Sequence, residues 1–264
     1  MTNAQRSLEC GKVLSLVAIG RHPQSGRPRR GDQDAKAVEM GLNLSAEEFS
    51  IIHAGNPDNP VLRHYAGMGV KKMVVLKQDQ DDDALPVFLD YIAKHDPQIV
   101  FTGQRSESGE SSGMLPYLLA EKLAWPMVSG VAEIVAIHDD EAQLLLALPR
   151  GQRRAVSVKM PFVASVSSAA KEARQSAFAV GLRAGIEEHD VANCLDQATT
   201  QWQVVPAKPR AKRMKVVKTK NAAERMKAAT AKAQSSGGKV LLKESVDEKA
   251  QAVFDLLIEE KVIR

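Results

Sequence analysis

The chain has 264 residues, 44% of them apolar but only 4% aromatic, and a formal charge of +4. That length fits one large domain with an appendage. No apolar run approaches the roughly 20 residues that cross a bilayer, so no membrane insertion is expected, and the only cysteines, Cys10 and Cys194, are too isolated for a disulfide framework or a zinc site.

The start, MTNAQRSLECGK, has no charged segment leading into a long apolar stretch. No signal peptide is expected, and two free thiols suit a soluble protein in the reducing cytoplasm. VLSLVAI (13–19) reads as a strand covered on both faces. A long loop rich in Gly, Pro and Arg follows over 21–34, then helical spacing over 35–44. FSIIHA (49–54) is a second strand, and VLRHYAGMG (61–69) a helix with its glycine stop. KKMVVL (71–76) is a third strand. Residues 81–96 place acids before and Lys-His after an apolar helix, as the helix dipole favours. PQIVFT (97–102) is a fourth strand. A loop dominated by Gly, Ser and Glu runs from Gly103 to Gly113 before the helix LLAEKLA.

Such strand–helix alternation predicts βαβ units and a mostly parallel, Rossmann-like α/β sheet with helices on both faces. From Pro126 the pattern changes to strands joined by the turns HDD and PRGQ, which finish the sheet or form an edge hairpin. The expected organisation is an α/β nucleotide-binding domain over 1–200 and an extended arm over 201–264. Residues 203–243 hold twelve Lys/Arg against the single acid Glu224, a net +11 that leaves the rest of the chain at −7. The arm ends in a helix announced by a capping box, Ser245 with Glu248.

Ligands of an open parallel sheet bind at the carboxyl ends of its strands. Three such ends are Ala18-Ile19-Gly20, His53-Ala54-Gly55 and Thr102-Gly103-Gln104. Small residues there let a flat ring or sugar approach the backbone. The loop SESGESSG adds hydroxyls and backbone amides ahead of a helix start, an anion site in kind, with phosphate as the natural guest. It is neither a Walker A nor a GxGxxG motif. The histidines have no metal spacing, and no Ser–His–Asp arrangement can be drawn.

VLSLVAIGRHP, FSIIHAGNP, LRHYAGMGVKKMVVL and above all QIVFTGQRSESGESSGMLPYLLAEKLAWPMVSGV resemble the beta subunit of electron transfer flavoprotein. So do LPRGQRRAVSVKMPFVASV and the final EEKVI. The resemblance covers about 11–200 and the last twenty residues. It implies a heterodimer with an alpha subunit that holds most of an FAD, while this subunit carries a structural AMP and has no catalytic residue. Electrons would come from a flavoprotein dehydrogenase and leave to a quinone oxidoreductase. Carried over, Ala18, the turn Gly31, Asp32, Gln33 and Asp34, and Ala54 form the AMP wall with Thr102, Gly103 and Gln104. Ser108, Gly109, Ser111, Ser112 and Gly113 cradle the phosphate. The basic arm would wrap the alpha subunit rather than nucleic acid, since Trp202 is the only aromatic near it.

Some residues depart from the family pattern. GDQD (31–34) replaces an Asn-Pro turn, and GESSG replaces a Thr-x-Gln segment. After PFVASV, the chain reads SSAAKEARQSAFAVGLRAGIEEHD in place of a proline-containing recognition segment. Glu172 and Arg174 keep register, and Phe178 falls where the family places an apolar anchor for the dehydrogenase. A second FAD in place of AMP, as in bifurcating members, and a stand-alone nucleotide sensor of universal-stress type stay open as alternatives.

Overall fold

The computed structural model describes residues 10–44, 49–79, 82–109, 111–138, 140–192, 194–196, 201–203, 205–206, 221–223, 226, 241–242, 244–259 and 262. The chain divides into two compact units, Met1–Gln203 and Val204–Arg264.

In the first unit, nine strands form one sheet, with the short strands β2 (Ile19–Arg21) and β3 (Pro28–Arg30) paired antiparallel beside it. Its centre is parallel. β1 (Val13–Leu16) lies between β4 (Phe49–Gly55) and β6 (Ile99–Gly103), and β5 (Lys72–Lys77) lies outside β4. β10 (Phe162–Val166) inserts in parallel between β6 and β7 (Met127–His138). β8 (Glu141–Ala147) and β9 (Arg153–Lys159) continue as an antiparallel meander to one edge. At the other edge β11 (Ile186–Asp190) runs parallel to β5.

The apolar runs follow from burial on both faces. Val13, Ile51, Met73, Val75, Ile99 and Phe101 enter one core, with Val38 of helix α1 (Asp32–Leu44) and Tyr65 of helix α2 (Leu62–Ala66). Their alternates Leu14, Ile52, Val74 and Val100 enter a second core, with Phe88 and Tyr91 of α3 (Ala84–His95) and Leu119 of α4 (Leu115–Leu123). Successive side chains of a strand point to opposite faces, so a doubly covered sheet reads as an unbroken apolar run.

The structure differs from the sequence reading at four places. The first strand stops at Leu16, because the Ala18 amide leaves the ladder for the Asp34 carboxylate. The expected loop 21–34 holds the β2–β3 hairpin and the first turn of α1, which begins at Asp32 rather than residue 35. The helix expected over 61–69 is regular only over Leu62–Ala66. β11, read from IEEHD, has no apolar alternation. It is held at the edge by cross-strand pairs of Lys72 with Glu187 and of Lys77 with Glu188 and Asp190.

α5 (Phe178–Arg183) precedes β11. In the second unit, helix α6 (Val246–Glu259) carries the expected capping box: the Ser245 amide donates to Glu248 at 2.8 Å, and the Glu248 amide donates to the Ser245 hydroxyl. Most of the basic segment 203–243 lies outside the described residues. Among the described residues no helix is long and apolar enough to cross a membrane.

Candidate functional site

The chain leaves β1, the 31–34 turn and β6 at one rim of the sheet, and hydrogen bonds tie the three together. Asp34 Oδ2 accepts from the Ala18 amide at 2.9 Å, and Oδ1 accepts from the Gly103 amide at 3.2 Å. Gly103 permits this approach: a Cβ there would lie 2.4 Å from Oδ1. The Tyr65 hydroxyl donates to the Ala18 carbonyl at 2.9 Å and accepts from the Gly31 amide at 2.8 Å. Gln33 Oε1 accepts from the Gln104 amide at 2.9 Å. Burial pushes the Asp34 carboxyl up to about 7 against these amide bonds, and the Glu107 charge adds to the rise. Burial, with Asp34 close by, drives the Tyr65 phenol well above its ordinary value, so it stays a donor.

The Ser/Gly loop is held from within. Glu107 takes the Arg29 guanidinium through two bonds at 2.8 and 2.9 Å and also accepts from the Asp32 amide. Ser106, Ser108 and Ser111 direct their hydroxyl protons at the carbonyls of Ser108, Ile19 and Ser106. A hydroxyl has one proton to donate, so these three offer a ligand only lone pairs. Ser112 differs: its oxygen accepts from the Met114 amide, and its proton has no acceptor among the described residues.

These elements enclose a cavity of about 300 Å³. Its lining combines the apolar Leu16, Leu85, Phe88, Leu115 and Leu118 with the polar Arg105, Ser106, Ser111 and Ser112. Thr102, 4% exposed, lines it, and its buried hydroxyl has no hydrogen-bond partner among the described residues. A wider open cavity of about 1280 Å³ adjoins through Ala18, His53, Ala54, Asp83 and Ala84, and is rimmed by Arg21, Lys77, Asp79, Asp82, Asp190 and Trp202. His53 borders both. Its Nδ1 lies 2.9 Å from the Val17 carbonyl, and burial lowers its basicity.

Of the expected nucleotide contacts, Ala18, Asp34, Ala54, Thr102, Gly103, Ser111, Ser112 and Gly113 line the smaller cavity. Ser108 and Gly109 line the wider one. Gly31, Asp32, Gln33 and Gln104 line neither; they bind the wall together from behind. Leu85 and Phe88 were missed by the sequence reading, and Arg105 was included only as part of the Gly103–Gly113 loop. The acids before α3 did signal a helix start, and Asp83 caps it by accepting from the Leu85 amide. Glu107, noted only as part of the loop, carried no sign of its pairing with Arg29.

The expected partner-binding residues lie on the 167–183 segment. Lys36 bonds Glu172 at 2.9 Å, and Glu39 holds the Arg174 guanidinium at 2.6 Å, so α1 fixes the start of the segment. Phe178 opens α5 and is 83% exposed, with Val180 and Leu182 also exposed beside it.

Two comparisons bear on this arrangement. A family model described as "Electron transfer flavoprotein domain" matches residues 31–223. Among curated proteins, the chain is 44% identical over 256 residues to "Electron transfer flavoprotein subunit beta" of Chromohalobacter salexigens, covering 96% of each chain.

Proposed function

This chain belongs to the electron transfer flavoprotein family, and we propose that it serves there as the beta subunit of a heterodimer, binding AMP in the rim cavity while an alpha subunit holds most of an FAD. The observation that carries the AMP reading is the buried Thr102 hydroxyl, which belongs to a residue lining a cavity of about 300 Å³ and has no hydrogen-bond partner among the described residues. Buried polar groups are normally satisfied, so an orphan in a cleft marks a place for a ligand atom.

The cleft is polar in one direction. Arg105, the free Ser112 proton and the start of α4 make one end attractive to an anion. In the wider cavity Asp79, Asp82 and Asp83 disfavour one, with Arg21 and Lys77 in the same lining. The phosphate therefore belongs at α4, with the base over the ends of β1 and β4 between the apolar residues. AMP supplies no reaction here; it fills the cleft and joins strand ends that carry the partner-facing loops. FAD supplies the electron transfer, and this chain contributes position and charge.

In this reading the dehydrogenase docks on Phe178 and its exposed neighbours, with Glu172 and Arg174 presenting the segment, and the basic arm wraps the alpha subunit. Electrons pass onward to a quinone oxidoreductase, and the protein works in the cytoplasm. The wider cavity adjoining the AMP cleft favours a second reading, in which an FAD occupies both cavities, since FAD is AMP extended by a flavin half.

Co-purification with the alpha subunit, followed by a visible spectrum and chromatography of the released nucleotides, tests these readings. One FAD and one AMP per heterodimer supports the simple carrier. Two FADs supports the second reading. A colourless protein without nucleotide overturns both.

A further inference from the structure

We propose that His53 is a specificity-determining residue of this cleft: its Nε2 accepts a hydrogen bond from the 6-amino group of the bound purine and thereby rejects 6-oxo purines. The inference rests on the nucleotide reading above. His53 sits near the end of β4 and is only 7% exposed. Its Nδ1 lies 2.9 Å from the Val17 carbonyl, which can only accept, so Nδ1 carries the proton. In a neutral ring the second nitrogen is then a bare acceptor. Burial keeps the ring neutral by lowering its affinity for a second proton.

No group among the described residues hydrogen-bonds Nε2. The space beside it is kept clear by Gly55. A Cβ at that position would lie 2.8 Å from Nε2, and the φ of +147° there favours glycine as well. The ring borders both cavities. Arg105 and Ser112 line only the smaller cavity, whereas His53 also lines the wider one, so with the phosphate at α4 the base, not the phosphate, comes to His53. Nε2 is not one of the buried unpartnered atoms, so it opens towards the cavities, and a bound ligand that takes the place of water there must offer it a donor. Adenine presents an N–H donor at position 6, whereas hypoxanthine and guanine present a carbonyl, and two acceptors facing each other repel. A site built on a hydrogen bond to a ligand group discriminates strongly against an analogue that lacks it.

The test is calorimetric titration of the nucleotide-free full chain, within the heterodimer, with AMP, IMP and 2′-deoxy-AMP. It compares the native protein with His53→Phe, which keeps the ring volume, and His53→Gln, whose amide can donate to Val17 and still offer an oxygen. The native protein is expected to bind AMP at least about tenfold tighter than IMP. His53→Phe should bring the two within about twofold, and His53→Gln should restore much of the preference. A preference that survives His53→Phe overturns the proposal. So does a variant that loses discrimination against 2′-deoxy-AMP instead, which would assign His53 to the ribose.

A readout on the native protein alone guards against a variant that does not fold. The ¹⁵N resonance of His53 Nε2 should move on adding AMP and stay in place with saturating IMP; equal movement with both overturns the proposal. If the native protein binds no nucleotide, the reading beneath it fails too, whereas AMP binding without His53-dependent preference leaves that reading intact.

Discussion

The hydroxyl of Tyr65 lies 2.9 Å from the carbonyl oxygen of Ala18, joining α2 to the point where the chain departs from β1. The Tyr65 hydroxyl also accepts from the Gly31 amide, so one buried phenol satisfies two backbone groups on either side of the β2–β3 hairpin.

Tyr65→Phe removes only that oxygen and leaves both backbone groups unpaired. The expected loss is about 1–3 kcal/mol of unfolding free energy, read from denaturant titration. The damage should be local, with faster hydrogen exchange at Gly31 and little change in the strands β4 and β5. An unchanged midpoint would show that the hairpin is not held from this side.

Thr102→Val exchanges a buried, unpartnered hydroxyl for a methyl group. The nucleotide-free protein should be as stable as the native one or slightly more so, because an unmet polar group is removed from the interior. AMP affinity should fall several-fold. Thermal melts with and without AMP separate these effects. Equal AMP stabilisation of both proteins would mean the hydroxyl faces no ligand.

Asp34 gives a pH signature. Its carboxyl titrates near 7 in the folded protein against an ordinary 3.8, so the fold holds the proton more tightly than the unfolded chain does. Its contribution is full below about 4 and is lost as pH rises through about 7. His53 acts in the opposite sense: burial lowers it from an ordinary 6.5, so its contribution is lost as pH falls. The difference between native protein and Asp34→Asn isolates the first. Between pH 5 and 7.5, native melting temperatures should decline relative to those of the variant. Parallel curves would refute the raised value.

Phe178→Ala should leave stability within about 0.5 kcal/mol, since the ring is 83% exposed and supports no core. If the proposed docking holds, electron transfer from a flavoprotein dehydrogenase should slow in stopped-flow experiments while the heterodimer keeps its flavin, as expected of an apolar anchor among polar residues. Unchanged transfer kinetics would remove Phe178 from the docking surface.

Glu39→Gln weakens the grip of α1 on Arg174. The carboxylate is buried beneath the segment and held below its ordinary range by the guanidinium, despite the opposing effect of burial. The expected cost is on the order of 1–2 kcal/mol, with faster proteolysis within 167–177. Protection equal to that of the native chain would show that the Lys36–Glu172 bond alone suffices.

Much was legible in the residues alone. The strands around β1 announce themselves because a sheet covered on both faces needs apolar side chains at every position, and 49–54, 71–76 and 97–102 are such runs. The capping box at Ser245 and Glu248 is equally local, because both hydrogen bonds close within one helical turn. The Gly103–Gly113 segment reads as a loop from its Gly/Ser composition, and eight of the residues named for the nucleotide line one cavity.

What only the tertiary structure decided are pairings between distant residues. Asp34 is 69 positions from Gly103, and Glu107 is 78 from Arg29. Nothing near any of these residues marks it for its partner. The same holds for β11, whose polar sequence becomes a strand because β5 offers it a ladder and two lysines. Ser108 and Ser111, which read as phosphate donors, direct their protons at carbonyls instead, while Thr102 and His53 line the cleft with a hydroxyl and a ring nitrogen that have no partner among the described residues. Residue type sets which hydrogen bonds a group can make, but the packing of strand ends sets which ones remain for a ligand.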